Sequence, residues 1–395
     1  MPAGHLFANT LFSVIEKPDG SEIVATDYLS TDSSTGNLNS LSMNTGKWTS
    51  RLLPHPSTPD ENRVYAIAAA SIDGVRMYAT RACHTDSDNY GILRSVDSGA
   101  SWGRTGDGCY TSIATDGWGV VAIAQGRAGL SITTSAGETW HSPTVPPSDE
   151  SIVQTQDFDG HCQGAVAISS DGSNQVITTG LKLEGMYFSN FGNASEMFPS
   201  WSPNYIGHIH TSSDGGSTWA ITSAPAAHWM SVASSSDGLK LAAVVWSGGI
   251  YVSTDRGGSW TLTSATTQQW SSIASSSDGS RLCATVYDGG LYISIDGGSS
   301  WGHMASAPSN TWARIASSAD GTELVALAVA RPSLGEGGLW ISSDAGASWN
   351  QISSNYPSPP LPPPNPPLRP PLPNPPPSPP PTPGKHTIES VVFLM

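Results

Sequence analysis

An eight-residue pattern, Ser-x-Asp-x-Gly-x-Ser/Thr-Trp, recurs along this chain: Ser95 to Trp102, Ser212 to Trp219, Ser253 to Trp260, Ser294 to Trp301 and Ser342 to Trp349. Self-similarity at a spacing of about forty residues means one supersecondary unit stacked many times, because such a unit cannot bury its apolar face alone. A second marker runs ahead of the first. Asp-Gly pairs between apolar, β-rich runs stand at Asp19, Asp73, Asp116, Asp171, Asp237, Asp278 and Asp320. Asp-Gly signals a tight hairpin in which both central residues take positive φ. Tryptophans closing a second hairpin stand at Trp48, Trp102, Trp140, Trp219, Trp260, Trp301 and Trp349. Two independent markers therefore predict seven units of four strands each.

The clearest unit runs from Trp229 through Asp237-Gly238, Leu241 to Trp246, Gly248-Gly249 and Ile250 to Val252, then Ser253 to Trp260. Short strands, Gly/Ser-rich turns and no helical periodicity predict an all-β chain, a seven-bladed β-propeller of four-stranded antiparallel blades. Two units depart from the pattern. The third has Thr133 and Ser135 where Ser and Asp belong, and the first keeps only Gly46 and Trp48.

These residues resemble the Asp-box (BNR) repeat family: sialidases, sortilin-type receptors, certain glucan hydrolases and photosystem II assembly-factor propellers. The resemblance spans residues 1–355 and is specific for fold rather than activity. It implies that the boxes lie on third-to-fourth-strand turns, away from the face that carries function. The residues themselves point the same way. Asp97, Asp214, Asp255, Asp296 and Asp344 are read as structural: Asp accepts N–H bonds from its own turn, Gly supplies positive φ, and Trp buries a large ring.

The net charge of −15, with about 12% of residues charged, disfavours nucleic acid or an anionic membrane as partner. No apolar stretch has the length to span a bilayer, and Met1 to Ile15 lacks a basic, then apolar, leader pattern. Residues 357–384 hold 18 prolines in 28 positions, a composition that adopts polyproline II and reaches on the order of 85 Å. This stalk, 356–384, resembles the hydroxyproline-rich segments of algal and plant wall glycoproteins, which implies secretion; a plain linker or SH3-type ligand is the alternative. The short β-prone end, 385–395, is read either as a strand added to another subunit or as a truncated end.

Aligned on the repeat, Cys83 and Cys109 fall opposite the boxes in adjacent blades, where a bridge is geometrically open, while Cys283 reads as a buried free thiol. Four cysteines allow three pairings. Asn193-Ala-Ser195 is an N-glycosylation sequon.

Two long loops, 141–162 and 182–205, carry the carboxylates Asp157, Asp159, Glu184 and Glu196, weak candidates for the acid and base of a glycoside hydrolase. A sialidase would add an Arg-Ile-Pro segment, and the chain has none. Trp229, Trp270 and Trp312 recur at blade entries with Trp246 and Tyr287 nearby, the candidate platform for stacking sugars; packing between blades is the competing and favoured reading. His208-Ile-His210 has metal-compatible spacing without a third ligand, so no metal and no cofactor are expected.

The sequence thus predicts a non-catalytic extracellular binding or scaffold propeller of a cell wall or matrix. Its expected partners are glycans or wall glycoproteins, with self-association through the tail. The alternatives are a glycoside hydrolase and an organellar assembly factor resembling the photosystem II propellers.

Overall fold

A computed structural model describes residues 75–80, 91–108, 110, 112–125, 129–143, 164–179, 207–328 and 338–352. It gives the backbone alone of strand residues 10–16, 22–28, 37–42, 47–52, 64–70, 81, 126, 161–163 and 181–183. The described residues contain strands and no helix.

The strands come in antiparallel meanders. β1 (Thr10–Glu16), β2 (Glu22–Tyr28), β3 (Asn37–Ser42) and β4 (Lys47–Leu52) pair in chain order. So do β5 (Val64–Ala70), β6 (Arg76–Arg81), β7 (Gly91–Ser95) and β8 (Gly103–Asp107). β9 (Ser112–Thr115), β10 (Ala122–Gly126) and β11 (Gly129–Thr133) make a three-stranded sheet, extended by a bridge from Ile132 to His141. β12 (His161–Gln163) pairs with β15 (Leu181–Leu183), apart from the sheet of β13 (Val166–Ile168), β14 (Gln175–Thr178), β16 (Ile209–Ser212) and β17 (Ala220–Ile221).

The next two meanders are β18 (Trp229–Ser234) to β21 (Thr261–Leu262), through β19 (Leu241–Gly248) and β20 (Ile250–Ser253), and β22 (Gln268–Ser275) to β25 (Gly302–His303), through β23 (Leu282–Val286) and β24 (Leu291–Ser294). They merge into one eight-stranded sheet where Trp246 pairs with Gln269. β26 (Trp312–Ser317), β27 (Leu324–Ala328), β28 (Gly338–Ser342) and β29 (Asn350–Ile352) complete the set.

First strands lie side by side in the order β1, β5, β9, β13, β18, β22, β26, and β26 returns to β1, so they close a circle. The core lies between neighbouring sheets. One cluster joins Val176 and Ile209 to Trp229, Leu241 and Ala243; another joins Val244 and Ile250 to Trp270, Ile273 and Ala284. The second strands explain this layering. Leu282–Val286 and Leu324–Ala328 are buried at every position, so both faces of each sheet need a neighbour.

The Asp-Gly corners differ from the expected turn. Gly172, Gly238, Gly279 and Gly321 have φ of 67–78°, but no aspartate beside them has positive φ. In the fifth unit Gly238 N donates to Ser235 O (3.0 Å) and Ser235 N to Lys240 O (2.8 Å), which closes a longer loop around one left-handed glycine. In the third unit the marker is displaced. Asp116 N bonds Val121 O, and Gly119, not Gly117, takes positive φ (66°), so Asp116 occupies the serine position and Trp118 the aspartate position. The adjacent left-handed pair belongs to the other corner: Ser98-Gly99, Ala136-Gly137, Arg256-Gly257 and Ala345-Gly346.

Candidate functional site

Around Asp255, Ser253 Oγ donates to Oδ1 (2.8 Å), Ser259 N to Oδ1 (2.8 Å) and Ser259 Oγ to Oδ2 (2.6 Å), while Gly257 N donates to Ser253 Oγ (2.8 Å). Asp97, Asp214, Asp296 and Asp344 repeat the set with Ser101, Thr218, Ser300 and Ser348. Those hydroxyl and then backbone bonds hold the carboxyls of Asp97, Asp214, Asp255 and Asp296 down to about 2, and Asp344 in the same direction. Such a carboxylate stays ionised and is poorly matched to proton transfer near neutral pH. In the third unit Ser135 stands in for Asp: its Oγ accepts from Thr139 N (2.9 Å), and Gly137 N still reaches Thr133 Oγ1 (3.0 Å).

The two corners of a unit sit together. Arg256 N donates to Leu239 O (3.0 Å), Gly297 N to Ser280 O (2.8 Å) and Ala345 N to Thr322 O (2.7 Å). A second series links one sheet to the next: Gly117 N to Ser170 O (2.8 Å), then Ser170 N to Ser236 O, Ser236 N to Ser277 O and Ser277 N to Ala319 O (each 2.7 Å). Both aspartates of a unit therefore lie on one face, braced by peptide groups. A cleft of about 370 Å³ opens there, lined by Thr211, Ser213, Leu241, Asp255 and Arg256 among others.

The aromatic residues named above as a candidate sugar platform sit where the favoured packing reading expects them. Trp229 is 1% exposed, Trp270 and Trp312 0%, and Trp246 and Tyr287 6%. Trp229 packs on Tyr251 and Trp260 (centroids 5.3 and 6.3 Å), Trp270 on Tyr292 and Trp301 (5.1 and 6.4 Å), and Trp312 on Trp340 and Trp349 (6.1 and 6.5 Å). Trp246 and Tyr287 face each other at 5.4 Å. Stacking on a sugar needs a free ring face. These rings have none, so the binding assignment is corrected to packing.

Asp157, Asp159, Glu184, Glu196, Cys83, Cys109, Asn193 and residues 356–395 lie outside the described residues. His210 is buried, with its ring 6.4 Å from His208, and among the described residues no group of three or more His, Cys, Asp or Glu could hold a metal. Cys283 is a buried free thiol pushed up to about 12 by desolvation.

Two charged positions were not singled out from sequence. Asp288, at φ 53°, is an exposed carboxylate on the β23–β24 turn that accepts from Thr311 Oγ1 (2.7 Å). Arg314 stands two residues after Trp312, where the preceding units have Ser231 and Ser272. Ser231 Oγ accepts from Ile273 N and Ser272 Oγ from Ile315 N, each at 3.3 Å, bridging neighbouring first strands. Arg314 is exposed yet crowded: desolvation lowers its pKa, and Nη1 donates to Ala313 O at 3.2 Å. Superposing the repeats would have exposed Arg314, since Ser231 and Ser272 hold its place in the two preceding units.

No family model matches the chain, and no curated protein matches it. Solved structures do. The GH74 xyloglucanase from Xanthomonas campestris is similar at TM-score 0.61 and 15% identity, over 87% of this chain and 54% of that one, so the chain spans about half its length. YCF48 from Cyanidioschyzon merolae is similar at TM-score 0.55 and 14% identity, over 86% of this chain and 96% of that one. The Cps50 (Swd1) β-propeller domain of Myceliophteria thermophila gives TM-score 0.54 and 14% identity, over 83% and 94%. With its circle of antiparallel meanders and these neighbours, the chain is a β-propeller.

Proposed function

We propose that residues 1–355 form a seven-bladed Asp-box propeller, carried with a Pro-rich stalk (356–384) and a β-prone end (385–395), that works as a non-catalytic binding or scaffold module of an extracellular wall or matrix. The circle of first strands and the repeated Ser-Asp-Gly-Trp corners support the blade count and the repeat family. The observation that carries the functional reading is the engagement of every signature aspartate among the described residues by its own turn. The repeated carboxylates brace a rigid scaffold, and recognition falls to what differs between blades and to the stalk. The stalk's composition supports a wall setting and partners among glycans or wall glycoproteins, with self-association through the tail.

The test is to pass the full chain over an array of wall polysaccharides and glycoproteins while measuring reducing-sugar release from xyloglucan. Saturable binding without release supports the proposal. Release abolished by Asp157→Asn, Asp159→Asn, Glu184→Gln or Glu196→Gln replaces it with a glycoside hydrolase built on the long loops. A second reading, an organellar assembly factor, draws support from the near end-to-end match to YCF48, one structure of which is bound to D1 peptide (TM-score 0.52, 14% identity, over 90% of this chain and 95% of that one). Organellar rather than wall localisation of the tagged native protein would favour it.

A further inference from the structure

We propose that Arg314 anchors an anion site in the central opening of the propeller, taking a ligand that bears a carboxylate or phosphate group. Arg314 lies on β26, one of the first strands that close the inner circle. At the same place in the two preceding sheets, Ser231 and Ser272 accept a backbone N–H from the next first strand. A guanidinium has five donors and no acceptor, so arginine cannot make that bridge. The structural bond of the two preceding sheets is given up here, and a long cation is gained on the inner circle.

That cation is under-used by the protein. Among the described residues it has no ion pair, in contrast to Arg94 with Glu138 (2.7 Å) and Arg104 with Asp107 (2.6 Å). Its one hydrogen bond, to the carbonyl of its own neighbour Ala313, leaves most of its donor fork open. It is nevertheless exposed, so the fork is accessible to a ligand. Protein packed around the group lowers its pKa, while the planar fork itself stays open to solvent and to an anion. The planar fork suits two oxygens of one carboxylate or phosphate. The signature aspartates carry opposite charge and repel such a ligand from the corner face.

The experiment titrates the full chain at low ionic strength with inorganic phosphate, and separately with N-acetylglycine and its neutral amide, by isothermal calorimetry. One saturable site for phosphate or for N-acetylglycine, silent to the amide, is expected, and which of the two binds identifies the group. Arg314→Gln should weaken binding about tenfold or more, as loss of a charge-assisted bond requires. Arg314→Lys should retain part of it, and Arg256→Gln on the corner face should leave it unchanged. Thermal melting supplies the second measurement: R314Q should melt at or near the wild-type temperature, because it removes an exposed cation that has no ion pair among the described residues. Absence of binding by both anions, undiminished binding in R314Q, or a clear drop in the melting temperature of R314Q overturns the assignment.

Discussion

Trp270→Ala tests whether the entry tryptophans are mortar between sheets. The ring is fully buried in the layer that joins Val244 and Ile250 to Ile273, Leu282 and Ala284. Truncation removes roughly 150 Å² of buried apolar surface, about 4 kcal/mol at 25 cal/mol per Å², in line with the ~3–5 kcal/mol of Trp→Ala changes in cores. The edge contact with Tyr292 and the tilted contact with Trp301 go with it, and the Nε1 bond to Gly248 O (3.1 Å) is lost, leaving that carbonyl without the indole. A total near 5 kcal/mol lowers Tm by roughly 10 °C for a cooperative unit of this size. Near-UV circular dichroism during a thermal scan reads it directly. Trp118→Ala is the control: at 63% exposure, loss of its ring should leave stability within about 0.5 kcal/mol of wild type. A Trp270→Ala protein melting within 2 °C of wild type (about 1 kcal/mol) would refute the packing argument and return Trp270 to the candidates for ligand contact.

Three further outcomes follow from the corners. Gly257→Ala should cost about 1–2 kcal/mol from the left-handed backbone alone, and more in chemical denaturation because its Cβ would meet Thr211 Cγ2 of the neighbouring sheet at 2.8 Å. Asp116→Asn should raise Tm at pH 7, with the gain fading in acid: burial pushes the Asp116 carboxyl up, so its charge weakens the fold above the unfolded pKa, and the amide oxygen can still accept from Val120 N. Asp97, Asp214, Asp255, Asp278, Asp296 and Asp320 are held down to about 2 from 3.8, so their contribution is complete above about pH 5 and is lost as pH falls toward 2. Tm measured from pH 6 to pH 2 should decline through that window, and a flat profile would contradict the hydrogen bonding assigned to these carboxyls.

Much of the fold was legible because the repeat states each instruction several times. Trp229, Asp237-Gly238, Gly248-Gly249 and Ser253 to Trp260 mark the four strands found at β18 to β21, and the same spacing locates β22 to β25 and β26 to β29. Burial was not legible from recurrence. A tryptophan recurring at three successive blade entries satisfies a binding row and a packing layer equally well, and only the neighbouring sheet, closed over Trp229, Trp270 and Trp312, decides between them. The third unit misled for a local reason. Asp116-Gly117 reads as the turn pair, yet Gly119 two residues on is the glycine that takes positive φ, which shifts Asp116 into a buried serine position and puts Trp118 outside.

These exceptions carry different information from the rule. Where a repeat position has one structural job, its residues converge on whatever performs that job, as the Ser-Asp-Gly-Trp corners do and as Ser135 does with a hydroxyl in place of a carboxylate. A residue that cannot perform the job marks either damage tolerated by the neighbours or a second demand at that position. Asp116 is the first kind, since its carboxyl still accepts from Val120 N while burial opposes its charge. Arg314 is the second kind: it abandons the bridge made by Ser231 and Ser272, and its guanidinium bonds only the carbonyl of the adjacent Ala313 in the described fold. In a propeller whose repeated parts are committed to holding it together, positions of that second kind are where chemistry has room to reside.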